Sequence, residues 1–460
     1  MATFIGREKE LATLDAAYAS GETGLIPVYG RRRVGKSQLI LEFIRRKPSL
    51  YFLGKQTSRR FQLRDFMRTA AQAFDRPALA EANPGDWRAA LQLALEHRPA
   101  GKKFVLVLDE FQWIAESSEE LPSLLQEMLD LEWNERGDML LILCGSFIGF
   151  MEREVLGSKS PLFGRRTGQI FLKPLSYREA ARFHPRWGLE DQAKAWFICG
   201  GVPFYHRFFK PERSLLANIE HNFLREDSAL FAEADFLLHE ELSEVRRYYA
   251  ILTALGTGSL SGKDVEQATG IDERQLHYYF QKLEGLGYTS KRTPLTPRPK
   301  PRGKRARYVI DDALLTFVFR FVLPNTGFIA EMGAAEAFRS LVRPHLDAWF
   351  GARFEVLCRQ ALPAIYRREG VNVPFEIGEY WDSRLQIDVV GIRRGDAIDL
   401  CECKWGRIRS KPELRGEILR KAERYPAEHL TVQPRIFSRL PARREAGKDA
   451  VLWHSLEDFY

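Results

Sequence analysis

The 460-residue sequence contains few cysteines and no long apolar run. Its 5 cysteines are odd in number and lie mostly within apolar segments, which favours buried, reduced thiols over a disulfide framework. The best candidate for a membrane span, residues 314–323, is shorter than the roughly 18 apolar residues required and contains Arg320. The first residues show neither the basic start nor the apolar core of a secretory signal. We therefore expect a cytoplasmic protein with no membrane association.

The composition is that of a folded protein. Hydrophobic residues make up 45% of the sequence and charged residues 28%, which argues against disorder and against a fibrous repeat. At roughly 150 residues a domain, the length corresponds to about three domains. The 69 basic residues outnumber the 61 acidic ones and give a formal net charge of +8. This excess favours polyanionic partners without identifying one.

The first part of the chain has the pattern of a parallel sheet covered by helices. Three continuous apolar runs, at 25–29, 104–108 and 140–144, alternate with helical patterns. Such runs are typical of central strands that are buried on both faces. Residues 1–175 are therefore predicted to form an α/β core.

Changes in the predicted secondary-structure pattern divide the rest of the chain into four segments. Residues 176–240 are mainly helical and are predicted to form a helical lid, with a turn-forming cluster at 200–203. Residues 241–312 contain three short helical patterns and then a basic, proline-rich stretch, which is the outline of a winged helix. A connector, 313–335, precedes a second α/β module, 336–460, with the order helix, three strands, helix, strand.

The strongest motif is a loop at 30–37, between the first apolar run and a helical pattern. It matches the phosphate-binding P-loop at every defined position. Its glycines allow backbone N–H groups to turn towards phosphate oxygens, and the helix N-terminus adds a favourable dipole. Lys36 is predicted to reach the β- and γ-phosphates of ATP, and Ser37 to offer its hydroxyl to Mg²⁺. The predicted nucleotide-binding residues are Gly30, Arg31, Arg32, Arg33, Val34, Gly35, Lys36, Ser37 and Gln38.

Polar residues end the second and third apolar runs. Asp109 is predicted to hold the Mg²⁺ ion together with Ser37. Glu110 is placed to polarise an attacking water, which favours hydrolysis over binding alone, although an ordinary surface acid is the alternative. Ser146 follows the third run, where a polar residue can contact the γ-phosphate or the water.

Five short motifs together resemble the archaeal ATPase family, which also occurs in bacteria and is a branch of the P-loop NTPases related to the AAA+ and STAND groups. The resemblance implies an ATPase core with a helical lid and places Ser146 at the sensor position. It also implies an arginine finger at Arg165 or Arg166, whereas two ordinary surface arginines are the alternative. The motifs are Phe-Ile-Gly-Arg-Glu at 4–8, the loop at 30–37, Leu-Asp-Glu-Phe-Gln at 108–112, Cys-Gly-Ser at 144–146 and Gly-Gly-Val-Pro at 200–203.

The stretch 291–307 contains eight basic residues and no acidic one, and its prolines keep it extended. Such a strip can follow a phosphate backbone, and the preceding helix supplies further candidate contacts. We expect a nucleic-acid partner, with DNA as the working expectation, although charge does not separate DNA from RNA. A solvated loop or a protein contact is the alternative. The candidates are Lys291, Arg292, Arg298, Lys300, Arg302, Lys304, Arg305 and Arg307 in the strip, and Arg274, Gln275, His277, Tyr278 and Lys282 in the helix.

The last module carries acidic residues on two adjacent predicted strands. A hairpin would bring Asp388 beside Glu402, and two carboxylates can bind Mg²⁺. Lys404 shares a strand face with Glu402 and can orient or deprotonate a water for attack on phosphate. Glu355, on a helical pattern, is predicted to complete the metal ligands. The alternative is an exposed strand whose charges are solvated.

This arrangement resembles the PD-(D/E)XK nuclease superfamily, with Ile-Asp in place of Pro-Asp and Glu-Cys-Lys as the second element. The region from Glu355 to Gly406 resembles the nuclease-like domain that is commonly fused to the archaeal ATPases. Gln386 stands where this superfamily often has another acid, so the charge available to a metal is reduced. The resemblance implies a nuclease-like fold, with cleavage as a separate question.

These observations predict an α/β protein: a P-loop NTPase parallel sheet with a helical lid, a winged-helix domain and a C-terminal α/β restriction-endonuclease-like domain. The predicted function is binding and hydrolysis of Mg-ATP coupled to nucleic-acid binding, with metal-dependent phosphodiester cleavage by the last domain. The alternative is a slow ATP-dependent regulatory switch, or a scaffold for protein partners, with an inactive nuclease fold. A second copy of the chain or a protein partner is left open.

Overall fold

The chain divides into two units in the computed structural model. The first comprises Met1–Leu175 and Val202–Phe204, and the second comprises Ser176–Gly201 and Tyr205–Tyr460. The structure describes residues 4–298, 306–394, 397–441 and 451–460.

A five-stranded parallel sheet forms the centre of the first unit, in the order β2-β3-β4-β1-β5. Every residue of the three central strands is buried, as their continuous apolar runs predict. The strands are β1 (Gly24–Tyr29), β2 (Ser49–Leu53), β3 (Phe104–Asp109), β4 (Met139–Gly145) and β5 (Ile170–Phe171). The helices are α1 (Glu8–Ala19), α2 (Lys36–Ile44), α3 (Arg59–Phe74), α4 (Ala78–Glu81), α5 (Trp87–Leu95), α6 (Phe111–Ser117), α7 (Leu121–Met128) and α8 (Ile148–Phe150).

Helices cover both faces of this sheet with separate apolar clusters. Alternate residues of β3 divide between them: Leu106 packs in the cluster that contains Trp87, and Val107 in the cluster that contains Leu39. Because the strands are parallel, the C-terminal ends of β1, β3 and β4 lie at one edge of the sheet. The loop at 30–35, the pair Asp109-Glu110 and Ser146 follow those three ends.

The second unit begins with five helices: α9 (Tyr177–Ala181), α10 (Leu189–Cys199), α11 (Pro203–His206, whose first two residues group with the first unit), α12 (Leu215–Phe223) and α13 (Glu233–Glu241). Two buried histidines lie among them, with Nε2 of His184 2.9 Å from Nδ1 of His206. Burial lowers the pKa of His184 to about 3 and that of His206 to about 4, so both rings are neutral at pH 7.

Three helices and a two-stranded hairpin follow, in the element order expected of a winged helix. They are α14 (Val245–Leu255), α15 (Gly262–Thr269), α16 (Glu273–Gly285), β6 (Thr289–Arg292) and β7 (Arg307–Ile310). The hairpin is extended by a bridge between Leu260 and Tyr308. The predicted basic residues Lys300, Arg302, Lys304 and Arg305 lie outside the described residues.

A long helical stretch joins the hairpin to the last sheet. It contains α17 (Ala313–Phe317), α18 (Thr326–Ala337) and α19 (Leu346–Arg368). By length and composition alone, one 18-residue window of this stretch is apolar enough to cross a membrane, with a mean hydropathy of 1.5, but half of that window is buried inside the protein. Gly333, with φ of 79°, kinks the stretch.

The C-terminal sheet has five strands in the order β12-β11-β10-β9-β8. Strands β8, β9 and β10 are antiparallel, and β10, β11 and β12 are parallel. The predicted order of helix, three strands, helix and strand is present, with one further strand at the end. The elements are β8 (Phe375–Trp381), β9 (Gln386–Arg393), β10 (Ala397–Lys404), α20 (Lys411–Arg424), β11 (Thr431–Ser438) and β12 (Leu452–Ser455). The predicted fold class, a P-loop parallel sheet with a separate C-terminal α/β sheet, is confirmed.

A buried ionic network crosses this sheet. Nε of Arg435 on β11 lies 2.6 Å from Oδ1 of Asp399 on β10, and both side chains are at most 1% exposed. Asp399 also accepts a hydrogen bond of 2.5 Å from Tyr366, and Arg435 binds both carboxylate oxygens of Glu369. Mutual pairing offsets the cost of burying these charges.

Candidate functional site

The loop between β1 and α2 requires glycine near both ends. Gly30 has φ of 150°, and a Cβ atom there would collide with the carbonyl oxygen of Leu172. Gly35 has φ of 95° and precedes the first residue of α2. Residues with a side chain are strained at both positions. The loop therefore has the tight backbone path that a phosphate-binding turn needs.

Lys36 lies inside this loop. Its Nζ donates hydrogen bonds to the carbonyl oxygens of Gly30, at 2.9 Å, and Arg31, at 3.1 Å. The side chain is buried, so its positive charge is held within the loop rather than in solvent. Helix α2 begins at Lys36 itself.

Ser37 and Asp109 meet at the edge of the sheet. Ser37 Oγ donates a hydrogen bond of 2.7 Å to Asp109 Oδ2, and Tyr51 donates to the same oxygen. Asp109 is fully buried. Burial, with the nearby charge of Asp109, raises the pKa of Tyr51 far above its usual value, so the phenol stays protonated and donates. A hydroxyl and a carboxylate side by side are the oxygen ligands that Mg²⁺ prefers, so these residues fit the ion.

Glu110 and Ser146 are also joined. Ser146 Oγ donates a hydrogen bond of 2.8 Å to Glu110 Oε2, and Gln112 donates to the same oxygen. Glu110 has φ of 49°, a left-handed conformation at the N-terminal end of α6. This backbone turn and the two hydrogen bonds fix the direction of the carboxylate.

The other predicted loop residues differ in environment. Val34 is fully buried and Arg31 nearly so, whereas Gln38 is exposed. Arg32 is half-buried. The guanidinium of Arg33 lies 4.1 Å from the ring centroid of Phe204, which also groups with the first unit.

Arg165 and Arg166 have local partners. Arg165 forms a two-pronged ion pair with Asp130, through Nε at 2.8 Å and Nη2 at 2.8 Å. Arg166 donates a hydrogen bond of 2.7 Å to Gln169. The arginine-finger role of either residue stays a prediction.

Three residues of the site were not predicted from the sequence. Arg7 is buried and donates a hydrogen bond of 3.1 Å to the carbonyl oxygen of Val34, inside the loop. Tyr51 and Gln112 bind Asp109 and Glu110, respectively. Arg7 and Gln112 had a sequence signal, because they belong to the motifs at 4–8 and 108–112 of the resemblance, whereas Tyr51 had none.

The acidic residues of the C-terminal sheet lie close together. Asp388 Oδ2 accepts a hydrogen bond of 2.9 Å from the backbone N–H of Cys403, next to Glu402. Burial, with the charge of Asp388, raises the pKa of Glu355 to about 8. Burial, with the charge of Glu402, raises the pKa of Asp388 to about 6. These three carboxyl groups therefore share one partly desolvated environment.

Two lysines bind Glu402. Lys404 Nζ lies 2.8 Å from its Oε1, and Lys421 Nζ, from α20, lies 2.6 Å from its Oε2. Both oxygens of this carboxylate are thus engaged. Across the described ranges, no group of three or more His, Cys, Asp or Glu side chains is arranged to hold a metal ion. The predicted ligands Glu355, Asp388 and Glu402 are brought together, but in this arrangement Glu402 faces cations of the chain itself.

The basic hairpin makes contacts within the second unit. Arg292 binds Asp311 and Glu379, and Arg298 lies 3.1 Å from Glu428. Arg307 lies over the ring of Trp381, 5.0 Å from its centroid. These basic residues are therefore joined to acidic and aromatic partners of the same unit. By contrast, all five candidate residues of α16, Arg274, Gln275, His277, Tyr278 and Lys282, are exposed.

Two family descriptions match separate parts of the chain. An ATPase domain that occurs predominantly in archaea matches residues 4–205. A domain of archaeal and bacterial proteins of unknown function matches residues 318–415, beginning inside the predicted connector.

The chain is also similar to individual proteins over different lengths. An uncharacterized protein of Methanocaldococcus jannaschii is 27% identical over 460 residues, which cover 99% of this chain and 100% of that protein. An uncharacterized ATP-binding protein of the same organism is 43% identical over 44 residues, 10% of this chain and 75% of that protein.

Among solved structures, the Walker-type ATPase of Pyrococcus abyssi aligns with a TM-score of 0.50 and 20% identity, over 69% of this chain and 96% of that one. At this identity the likeness concerns the fold. Residues 4–205 of this chain thus match an ATPase domain that occurs predominantly in archaea, and the loop at 30–37 within them has the geometry of a phosphate-binding turn.

Proposed function

We propose that the protein hydrolyses Mg-ATP at the loop between β1 and α2 and couples this hydrolysis to the binding of nucleic acid. The observation that carries the proposal is that three groups lie at one sheet edge: Lys36 in the loop, the Ser37–Asp109 pair and the Glu110–Ser146 pair. These are a cation for the phosphates, oxygen ligands for a metal and a carboxylate for the attacking water.

Each group has a defined task in this proposal. Backbone N–H groups of the loop and Lys36 bind the β- and γ-phosphates. Ser37 and Asp109 would hold Mg²⁺, which neutralises charge on the phosphates when bound. Glu110 accepts a proton from the attacking water, and Ser146 keeps its carboxylate in place.

The nucleic-acid part of the proposal rests on the second unit. Helix α16 presents Arg274, His277 and Lys282 to solvent on a three-helix and hairpin scaffold, which is the position of a recognition helix in a winged helix. DNA is the expected partner. The proposal includes phosphodiester cleavage of this DNA at Asp388, Glu402 and Lys404, with a bound metal.

A second candidate function is a slow ATP-dependent switch with an inactive nuclease fold. The observation that favours it is the pairing of both Glu402 oxygens with Lys404 and Lys421. A carboxylate held by two cations of the chain is a poorer metal ligand than a free one.

The decisive experiment for the ATPase is a turnover assay on the Lys36→Ala variant. We expect hydrolysis to be abolished, because the cation that neutralises the terminal phosphates is lost. Lys9→Ala, which removes an exposed lysine of α1, is the matched control and should retain full turnover. Undiminished turnover in Lys36→Ala would refute the proposal.

Stimulation by DNA separates the two candidate functions. Hydrolysis that rises when duplex DNA is added supports the coupled ATPase, and slow hydrolysis that DNA leaves unchanged supports the switch. Cleavage is tested by incubating DNA and RNA with Mg²⁺, with and without ATP. Glu402→Gln should remove any cleavage and leave ATP turnover intact, whereas Glu423→Gln, at an exposed acid of α20, should change neither.

A further inference from the structure

A cavity of 390 Å³ lies within the second unit, well separated in the sequence from the P-loop. Its walls come from the end of α14, the hairpin, the middle of α19 and strand β8. This volume is within the range of small-molecule binding sites, about 300 to 1,000 Å³. The cavity is therefore large enough for a ligand rather than for a few waters only.

Two hydrogen-bond donors without partners line this cavity. Nε of Arg353 is buried and has no hydrogen-bond partner in the described part of the chain, and neither has Nε1 of Trp349. The two residues are one turn apart on α19, so they lie on the same face of the helix. The Arg353 side chain as a whole is only 7% exposed.

The chemistry of these two donors indicates which kind of ligand the cavity would bind. An indole N–H and a guanidinium can only donate, so neither can satisfy the other. A buried donor without an acceptor destabilises the folded protein. The charges of Asp311 and Asp312 act on Arg353, but they leave its Nε without an acceptor. A ligand that satisfies both donors must therefore supply acceptor oxygens, and negative charge favours its binding beside the guanidinium.

The carboxylate of Glu379 already has cationic partners. Glu379, on the cavity wall, is shared between Arg292, at 3.1 Å, and Arg359, at 3.5 Å. Further cationic side chains on the wall, Arg307 and Arg320, add to the positive charge of the cavity. Several cations around one space favour a ligand with more than one anionic oxygen.

We propose that this cavity is a second phosphate-binding site, which takes the phosphate group of a nucleotide or of a phosphorylated nucleic-acid end. Arg353 and Trp349 donate to the phosphate oxygens. The site goes beyond the proposed function, since it requires neither ATP hydrolysis nor cleavage, although Glu355 is common to this wall and to the acidic cluster.

The test measures phosphate binding in a background from which the P-loop contribution has been removed. In full-length Lys36→Ala protein, binding and thermal stability are followed with inorganic phosphate, with AMP, and with a short oligonucleotide carrying either a 5′-phosphate or a 5′-hydroxyl. We expect a saturable rise in midpoint with at least one phosphate-bearing probe. The probe with the highest affinity identifies the source of the phosphate.

Adding Arg353→Met to this background should weaken that binding by tenfold or more, on the order of one lost charge-assisted hydrogen bond. The midpoint without ligand should not fall, because a buried guanidinium whose Nε lacks an acceptor has been replaced by an apolar side chain of similar length. Trp349→Phe, which keeps a ring but removes the N–H, should weaken binding less. Arg343→Met, at an exposed arginine of the same helical stretch, should leave binding unchanged.

Two results overturn the proposal. One is the absence of binding by every phosphate-bearing probe in the Lys36→Ala background. The other is equal binding by the Arg353→Met and Arg343→Met variants, which would assign the phosphate to another surface. A large fall in the ligand-free midpoint of Arg353→Met also counts against it, because that fall indicates a structural role for the guanidinium.

Discussion

Arg292 of the hairpin donates a hydrogen bond to Glu379 of β8, with Nη1 3.1 Å from Oε1. Its Nη2 binds Asp311 at 2.8 Å. A basic residue that the sequence pattern assigns to a nucleic-acid backbone is thus already paired, 87 positions away in the chain. The basic residues of this region fall into two classes, those that join parts of the second unit and those that face solvent.

The first prediction separates these two classes. Lys282→Ala, at an exposed residue of α16, should weaken nucleic-acid binding at low salt and reduce the slope of log K against log salt by about 0.9. Arg292→Ala should leave that slope unchanged and lower the thermal stability instead, because Glu379 and Asp311 lose a shared partner. Fluorescence anisotropy at several salt concentrations measures the slope. An unchanged slope in Lys282→Ala would contradict the position of the interface on α16.

The second prediction concerns the backbone of the P-loop. Gly30→Ala should abolish nucleotide binding and lower the free energy of unfolding by about 1–3 kcal/mol, because the added Cβ meets the Leu172 carbonyl at a strained φ. Gly85→Ala is the matched control, since a Cβ there has no atom within 4 Å. Binding is measured with a fluorescent ATP analogue and stability by urea unfolding. Normal binding by Gly30→Ala would show that the loop relaxes freely.

The third prediction tests the Glu110–Ser146 hydrogen bond. Ser146→Ala should lower kcat about tenfold or more while ATP affinity stays the same, because Glu110 loses a donor that directs its carboxylate towards the water. Ser146→Thr keeps the hydroxyl and should restore most of the rate. Ser117→Ala, on α6, serves as the control. A change in ATP affinity with unchanged kcat would assign Ser146 to nucleotide binding instead.

The fourth prediction concerns the ionic network of the C-terminal sheet. Arg435→Met should lower the stability of the second unit by about 3 kcal/mol or more, since it leaves Asp399 buried with one cation fewer. Arg424→Met removes an exposed arginine of α20 and should cost no more than about 0.5 kcal/mol. Urea midpoints measure both effects. Nε of Arg393 also lies 3.0 Å from Asp399 Oδ2, so equal midpoints would mean that Arg393 and Tyr366 suffice to hold Asp399.

The fifth prediction is an acid dependence of stability that originates at the buried histidines. His184 and His206 stay neutral in the folded protein down to about pH 4, whereas in the unfolded chain they take up protons below about pH 6.5. The unfolded state therefore binds more protons between these values. Their contribution to stability is complete above pH 6.5 and is lost as the pH falls towards 4, with a slope of up to about 1.4 kcal/mol per pH unit for each ring.

His184→Phe is the variant that tests this slope. It keeps a ring to stack on Trp187, whose ring centroid lies 4.5 Å from that of His184, and it removes one titrating group. Its urea midpoint should fall less steeply between pH 7 and pH 5 than that of the native protein, even if its stability at pH 7 is lower. His239→Gln, at an exposed histidine, should leave the slope unchanged.

Local sequence signals predicted much of the fold and the glycine positions of the loop at 30–37. The run 104–108 lies within β3, and the run 140–144 lies within β4. The loop pattern places glycine at positions 30 and 35, where the backbone has positive φ angles, and this requirement for glycine is local. Features of this kind are predictable because they depend on neighbouring residues in the sequence and not on tertiary packing.

Contacts between distant segments were not predictable in this way. Lys421 reaches Glu402 because α20 packs against β10, and no pattern within either segment states that geometry. The partners of Arg292 and the contact between Arg7 and Val34 likewise depend on how elements pack. The sequence shows where basic and acidic residues cluster. It does not show which of these side chains form ion pairs within the protein and which are free to bind a ligand.

The short segment Val202–Phe204 has a practical consequence for anyone who shortens this protein. A fragment that stops at Leu175 loses Phe204, which covers Arg33, and with it one wall of the nucleotide loop. A fragment that runs to residue 205 keeps Phe204 but also carries α10, whose partners α17 and α19 would be missing. Each truncation removes packing partners from the fragment, so we expect truncated fragments to expose apolar surface and to aggregate. Biochemical work on the ATPase is therefore best done with the intact chain.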